Sequence, residues 1–468
     1  MNVDAATPAS VLPSRQQSRL DRVLHRLYHF GSGVQHFIAR RLRPAGIALG
    51  LIFTLATCLG IGQQRSSTFQ LFSLSLGMGM LGLLWALSRR ATVEAKRELP
   101  RFGTAGEPLR YTVIVRHCGR SRLSRAWLAD SPPDPRPNLE DFTTLREPGE
   151  EERNGFDRRL AYFRWQWILL GNRLFSGGFS EKDVHLKPGQ QARVAIEITP
   201  LRRGVIRLED LRILLPDPFG LFQRCRKIPA PISTLTVLPR RFPLPPIELP
   251  GGAAFKVSGE ANTNTIGTSG EFVGLRDYRP GDPLRQIHWK SWARTGRPIV
   301  KELEDTFYPR YGLIVDTFSS DRTDHQFEEV VSVAASFAAA IDTCESLLDL
   351  MFIKNEAHIV TAGRGVERAE KLLEVLAGVS PERTENYAEL AKLVIRHRDD
   401  LTSCLVIFNG WDEARAEFLK KLIRGGIVCA PLIVGKGAAA HGAPGHWLES
   451  GEIARDLKRL PTRLIPEF

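Results

Sequence analysis

The chain has 468 residues, 43% hydrophobic and 25% charged, the composition of a folded protein and too long for one ordinary domain. Its net charge of +12 invites a nucleic-acid reading, but residues 1–43 hold seven arginines against Asp4 and Asp21, or +5, and the other +7 is spread over the rest of the chain. A basic arm on a mildly basic body is not a nucleic-acid stripe, and no nucleic acid is expected as a partner. The six cysteines (Cys58, Cys118, Cys225, Cys344, Cys404 and Cys429) form no C-x-x-C pair and show no zinc-ligand spacing, as expected of thiols in a reducing compartment.

Residues 1–44 form the basic arm. Leu20, Val23, Leu24 and Leu27 recur at helical spacing among Arg19, Arg22 and Arg26, which suits an amphipathic helix on an anionic leaflet; a solvated helix fits the same spacing. Over 45–90 the segments Ala45–Gly62 and Leu71–Leu87 contain no charged residue. Each is at the lower edge of the length that crosses a hydrocarbon core about 30 Å thick, and together they predict a transmembrane helical hairpin. Arg40, Arg41 and Arg43 precede it, Arg89, Arg90, Lys96 and Arg97 follow it, and the loop between holds only Arg65. By the positive-inside rule this gives a multi-pass inner-membrane protein with both termini cytoplasmic. Gly77, Gly79 and Gly82 spell G-x-G-x-x-G, but without a surrounding β-α-β unit they predict close helix packing and not a dinucleotide site.

From 91 to 240 short β-branched or alternating runs predict an antiparallel β-sandwich: Leu109–Val115, Ala192–Ile198, Val205–Leu208, Leu211–Leu215 and Thr234–Leu238. A sharp turn is expected at Asp217-Pro218-Phe219-Gly220, with Phe219 and Phe222 plugging the sandwich end. A Trp- and Arg-rich insertion near 156–173, with Trp165 and Trp167, suits either the membrane interface or a cap on the sandwich core. Residues 241–269 read as a linker.

The segment 270–310 is the densest in signals. Pro280-Gly281 sets a tight turn. Around it Arg276, Arg279, Arg285, Lys290 and Arg294 alternate with Glu271, Asp277 and Asp282, a mixture that favours local ion pairs over a phosphate-binding surface. Trp289 and Trp292 are placed to stack on arginines. Two readings stay open: a salt-bridged dock against the following domain, and a recognition surface for a protein partner.

Here the sequence resembles the domain-of-unknown-function-58 family. The matching residues are Phe272, Gly274, Leu275, Arg276, Tyr278, Pro280, Gly281, Asp282, Arg285, Trp289, Lys290, Ala293 and Arg294, with Arg203-Gly204 and Asp217-Pro218-Phe219-Gly220 upstream. His288 stands where the family often has aspartate. The resemblance implies a C-terminal von Willebrand type A-like domain. It also implies a partner class, because such proteins are often encoded beside MoxR-type AAA+ ATPases.

Over 311–468 the pattern itself predicts an α/β domain with a doubly wound, mostly parallel sheet. Strands are expected at Tyr311–Val315, Ala357–Val360, Cys404–Phe408 and Ile427–Val434, and helices at Phe327–Leu348, Val366–Leu376 and Glu413–Arg424. Sites in such sheets lie at the carboxyl ends of strands. Type A domains place a divalent ion there through Asp-x-Ser-x-Ser, and this chain offers Asp316-Thr317-Phe318-Ser319-Ser320. Phe318 replaces the first serine and Asn409 stands where a later carboxylate is usual, leaving Asp316, Ser320 and Asp412 as candidate ligands. A degenerate magnesium site is one expectation; an aspartate capping a strand end is the favoured one, with no cofactor. No G-x-S-x-G, H-E-x-x-H or P-loop occurs. The expected function is therefore a non-enzymatic, membrane-anchored scaffold or adaptor for a cytosolic protein. A metal-dependent ligand-binding module and an unrecognised hydrolase or transglutaminase-like enzyme are the alternatives. The candidate interaction residues are Arg276, Asp277, Tyr278, Pro280, Gly281, Asp282, Arg285, His288, Trp289, Lys290 and Arg294.

Overall fold

A computed structural model describes residues 19–60, 66–250, 271–304, 309–319, 325–341, 346–363, 369–437 and 443–464. They fall into two units, Met1–Val237 and Leu238–Phe468. The first begins with three helices: α1 (Arg19–Arg41), α2 (Pro44–Gly60) and α3 (Ser66–Ser88). The Phe53 and Phe72 rings stack between α2 and α3 with centroids 5.1 Å apart. One helix, over Ser67–Ser88, is long and apolar enough to cross a membrane. The apolar α2 has 17 residues, roughly 25 Å of rise, at the lower edge of what crosses a core of about 30 Å; residues 61 and 62, the end of the expected first span, lie outside the described residues. Of the two expected spans, the described residues thus hold one helix of spanning length and one shorter apolar companion.

Close packing holds for only one of the three spaced glycines. A Cβ on Gly82 would lie 2.7 Å from Asp217 Oδ2 and 3.1 Å from the Phe222 ring, whereas Gly77 and Gly79 face open space. The neighbour of Gly82 is a turn of the β region, not a second helix.

That region is antiparallel. Its larger sheet runs in the order β1 (Val93–Glu98), β3 (Leu109–His117), β7 (Gln191–Pro200), β5 (Phe175–Ser180), β4 (Leu123–Ser131), β9 (Asp210–Pro216), β10 (Gln223–Lys227), with β6 (Val184–Leu186) also on β4. A three-stranded sheet joins β2 (Phe102–Thr104), β11 (Ser233–Leu238) and β8 (Gly204–Leu208). Alternation explains the core: Val113, Val115, Ile196 and Ile198 from the large sheet meet Ile206, Leu208, Leu235 and Val237 from the small one. One inward position on β1 carries a charge instead. Arg97 donates to Asp130 through Nε (2.6 Å) and Nη2 (3.0 Å), and Tyr111 donates its hydroxyl to the same carboxylate at 2.9 Å. Both charged side chains are wholly enclosed, so each needs the other.

The expected plug is partly wrong. Phe219 is exposed, and Leu221 is the buried apolar residue of the β9–β10 turn, because Asp217 Oδ1 accepts the Leu221 and Phe222 N–H groups and folds the turn tightly. The insertion is helical. It forms α5 (Gly155–Leu160) and α6 (Tyr162–Gly171), and α4 (Leu139–Thr144) precedes it. Trp165 is 2% exposed and packs with Phe142, Ala161 and Ile168 against Leu24 of α1, in a cluster apart from the sandwich core, while Phe156, Phe163 and Leu170 of the insertion are exposed.

In the second unit β12 (Glu271–Asp277) pairs antiparallel with β13 (Ile299–Glu304), and the short helix α7 (Trp289–Thr295) lies between them in sequence. A six-stranded sheet follows in the order β16 (Glu356–Ala362), β15 (Leu347–Lys354), β14 (Arg310–Val315), β17 (Ser403–Asn409), β18 (Cys429–Gly435), β19 (His446–Glu449). It is mixed: all neighbours are parallel except β15 and β16. Its helices are α8 (His325–Ala340), α9 (Ala369–Ala377), α10 (Tyr387–Arg396), α11 (Glu413–Arg424) and α12 (Ile453–Lys458). The helix expected over Phe327–Leu348 ends at Ala340, and Leu347–Lys354 is a central strand. Asp349 inside that apolar run obscured it; its carboxylate is held by Arg310 Nε at 2.6 Å and by the Thr361 hydroxyl at 2.6 Å.

Candidate functional site

Two places draw together the residues singled out by sequence. The first is the segment after β12. Gly281 takes a positive φ of 109°, which glycine alone adopts cheaply. Arg276 reaches across the turn and grips Asp282 with both terminal nitrogens at 2.7 Å, while the Arg279 N–H donates to the same carboxylate at 2.8 Å. This fork-to-fork pairing, led by the Arg276 bonds, holds the Asp282 carboxyl down at about 2. Tyr278 is tied through its N–H to the Pro298 carbonyl at 2.9 Å. His288 precedes α7; its Nδ1 lies 2.7 Å from the Ser291 hydroxyl, and its N–H donates to the Ile299 carbonyl.

Of the expected web of local ion pairs, the described side chains show the Arg276–Asp282 pair. Asp277, Arg279, Arg285, Lys290 and Arg294 are exposed, and among the described residues none of these four cations forms an ion pair. The tryptophans stack on each other and not on arginine, with centroids 5.2 Å apart and planes 19° from parallel. Trp289 is 64% exposed and Leu284 68%. A braced turn therefore presents a stacked indole, a leucine and four cations to solvent.

The second place is the crevice between β14 and β17. The chain leaves β14 towards β15 on one side and returns from β16 to β17 on the other, so the crevice is the switch point where open α/β sheets bind ligands. Asp316 ends β14 there with its side chain enclosed. It accepts from Arg415 Nε (2.7 Å), the Phe318 N–H (3.0 Å), the Asn409 N–H (3.1 Å) and the Tyr387 hydroxyl (3.2 Å). Arg415 also pairs with Asp412, which caps α11. Burial pushes the Asp316 carboxyl up from its ordinary value against the pull of Arg415 and the two backbone donors. Burial works against the Arg415 charge too, but the adjoining carboxylate outweighs it and holds the guanidinium protonated.

Phe318, in place of the implied serine, is a core residue whose ring meets Tyr387 edge-on at 4.6 Å. Asn409 turns its amide to the Phe318 carbonyl at 3.1 Å. Ser320 lies outside the described residues. Among the described residues no group of three or more His, Cys, Asp or Glu is placed to hold a metal. Of the thiols, Cys404 and Cys429 are buried in this sheet; burial pushes Cys404 up and raises Cys429 to about 12, far from a thiolate nucleophile. Sequence reasoning missed Arg415 and Tyr387. The signal for the first was present: Arg415 lies on the helical stripe of Phe418, Leu419 and Leu422, all buried, where a charge demands a partner.

With this geometry in place, comparison with known proteins gives a family. Residues 274–411 match the model described as "Protein of unknown function DUF58". The chain carries a DUF58 region. That region takes in the braced turn, the indole pair and Asp316, and closes four residues short of Arg415. The uncharacterized protein YeaD of Bacillus subtilis (strain 168) is 31% identical over 134 residues, 28% of this chain and 33% of YeaD. The chain thus spans about a third of the length of the curated relative it matches. Among solved structures, the CARDB domain of PF1109 from Pyrococcus furiosus is 10% identical, with 31% of this chain and 93% of that chain covered at a TM-score of 0.17. A β-glucosidase from Listeria innocua is 12% identical over 31% of this chain and 16% of its own, at a TM-score of 0.14. Likeness at that level carries no argument about the fold or role of the DUF58 region.

Proposed function

We propose that the chain is a membrane-anchored, non-enzymatic adaptor whose DUF58 region recognises a cytosolic protein. In this reading α2 and α3 form a two-span hairpin with both termini in the cytosol, and the mixed sheet is a von Willebrand type A-like domain. The observation that carries the reading is exposed Trp289, stacked on half-buried Trp292, in a segment that also exposes Leu284, Arg285 and Arg294. Tryptophan and arginine are the commonest hot-spot residues of protein interfaces. The Arg276–Asp282 clasp supports it further, since a turn already fixed loses little freedom on binding. A MoxR-type AAA+ ATPase is the partner class that the family resemblance offers.

The alternative of a metal-dependent module is less well supported, because a guanidinium already supplies the positive charge at Asp316. The deciding experiment is capture of a purified MoxR-type ATPase by the full chain in lipid nanodiscs. Capture by the parent that Trp289→Ala abolishes supports the proposal; equal capture by both defeats it.

A further inference from the structure

We propose that α1 is an interfacial helix that lies in the headgroup layer of an anionic bilayer, pressed there by the helices of the insertion. Leu20, Val23, Leu27, Phe30, Val34, Phe37 and Ile38 are all exposed and recur every three or four residues, so they form one apolar stripe along the whole helix. Phe30 is 71% exposed, a large apolar surface to leave in water. Arg19, Arg22, Arg26 and Arg41 are exposed on the same helix, with long stems that let their charges reach phosphate while the stripe sinks.

Charge alone does not choose lipid over a protein partner; position does. Only Leu42 and Arg43 separate α1 from the apolar α2. The C-terminal end of α1 is fixed at the foot of the apolar helices: Gln223 donates to the Arg40 carbonyl at 3.1 Å, and the Arg43 N–H donates to the Leu221 carbonyl at 3.0 Å. Leu221 and Phe222 belong to the turn that packs against Gly46 and Gly82. Part of the flank of α1 beside the stripe is covered. Leu24 is buried against Phe142 and Trp165, and the Tyr28 hydroxyl donates to the Leu160 carbonyl at 2.9 Å. The insertion therefore serves as a brace that keeps α1 folded before it meets lipid, which limits the ordering cost of binding.

The inference rests on the membrane anchoring proposed above, and the test separates the two. Full chains carrying p-benzoylphenylalanine in place of Phe30, Phe37, Leu76 or Val205 are reconstituted in vesicles of phosphatidylcholine with or without phosphatidylglycerol. They are then irradiated and analysed by intact mass. Leu76 in α3 and exposed Val205 in β8 are the positive and negative controls. Lipid adducts at 30 and 37 severalfold above those at 205, and stronger with phosphatidylglycerol, are expected. Adducts at 76 but none above background at 30 and 37 overturn the interfacial helix and leave the anchor standing. Cross-links at 30 and 37 to a second copy of the chain overturn it in favour of self-association. Equal adducts with and without phosphatidylglycerol overturn the anionic preference, and no adduct at 76 removes the anchor and the inference together.

Discussion

The Arg415 guanidinium donates to the Asp316 carboxylate at 2.7 Å in the crevice between β14 and β17. The acid that a sequence reading offers first as a metal ligand is thereby satisfied by the chain's own cation. Removing Arg415 leaves the Asp316 carboxylate buried without its cation, at a cost of about 3–5 kcal/mol, whereas removing Asp316 leaves Arg415 paired with Asp412 but strips the Phe318, Asn409 and Tyr387 donors of their acceptor. Arg415→Ala and Asp316→Ala should each lower the melting temperature strongly, and the double variant should lose much less than the sum of the two. Additive losses in thermal melts would show that the two side chains do not act as a pair.

Magnesium gives an independent readout of the same site. The parent's melting temperature should not respond to it. A bound divalent ion would instead stabilise the parent by about 2.7 kcal/mol at a hundredfold excess over its dissociation constant. Such a shift, lost in Asp316→Ala, would restore the metal-dependent reading.

Asp282 predicts a pH signature. Its carboxyl is held at about 2 by Arg276 and the Arg279 N–H, below the ordinary aspartate value of about 3.9. A depressed folded-state value means the unfolded chain takes up the proton first. The stabilisation is therefore present above the ordinary value and lost as pH falls through the folded one. Asp282→Asn should melt below the parent at neutral pH, with the gap closing as pH falls from about 4 to about 2. A gap of constant size across that range would contradict the clasp.

How much of this was legible in the sequence depended on whether local pattern or distant pairing decided the outcome. Alternation located β3 and β7, and α11 lies where its capped, amphipathic run begins and ends. The strand at Leu347–Lys354 was not legible, because eight residues broken by Asp349 resemble the end of the preceding helix until Arg310 is seen to hold that carboxylate. The same holds for Arg97, whose inward place on β1 makes sense only beside Asp130. Trp165 was visible as a feature but not as a contact, since its neighbour α1 lies more than a hundred residues upstream. The turn at Pro280-Gly281 was read from local chemistry alone; the exposure of Trp289 was not.

The proposed topology rests on the arginine asymmetry around the apolar helices. A reporter fused after Phe468 should read cytoplasmic, and one inserted within residues 63–70 should read external. The reverse pattern would place the DUF58 region on the wrong side for a cytosolic partner.

The most direct test concerns the exposed face itself. Arg285→Ala, Trp289→Ala and Arg294→Ala are measured side by side for binding of a MoxR-type ATPase and for thermal stability. Each should weaken capture by roughly 1–3 kcal/mol with the melting temperature unchanged, because all three side chains are exposed. Intact capture with a lowered melting temperature would contradict the recognition surface and make the segment an internal dock.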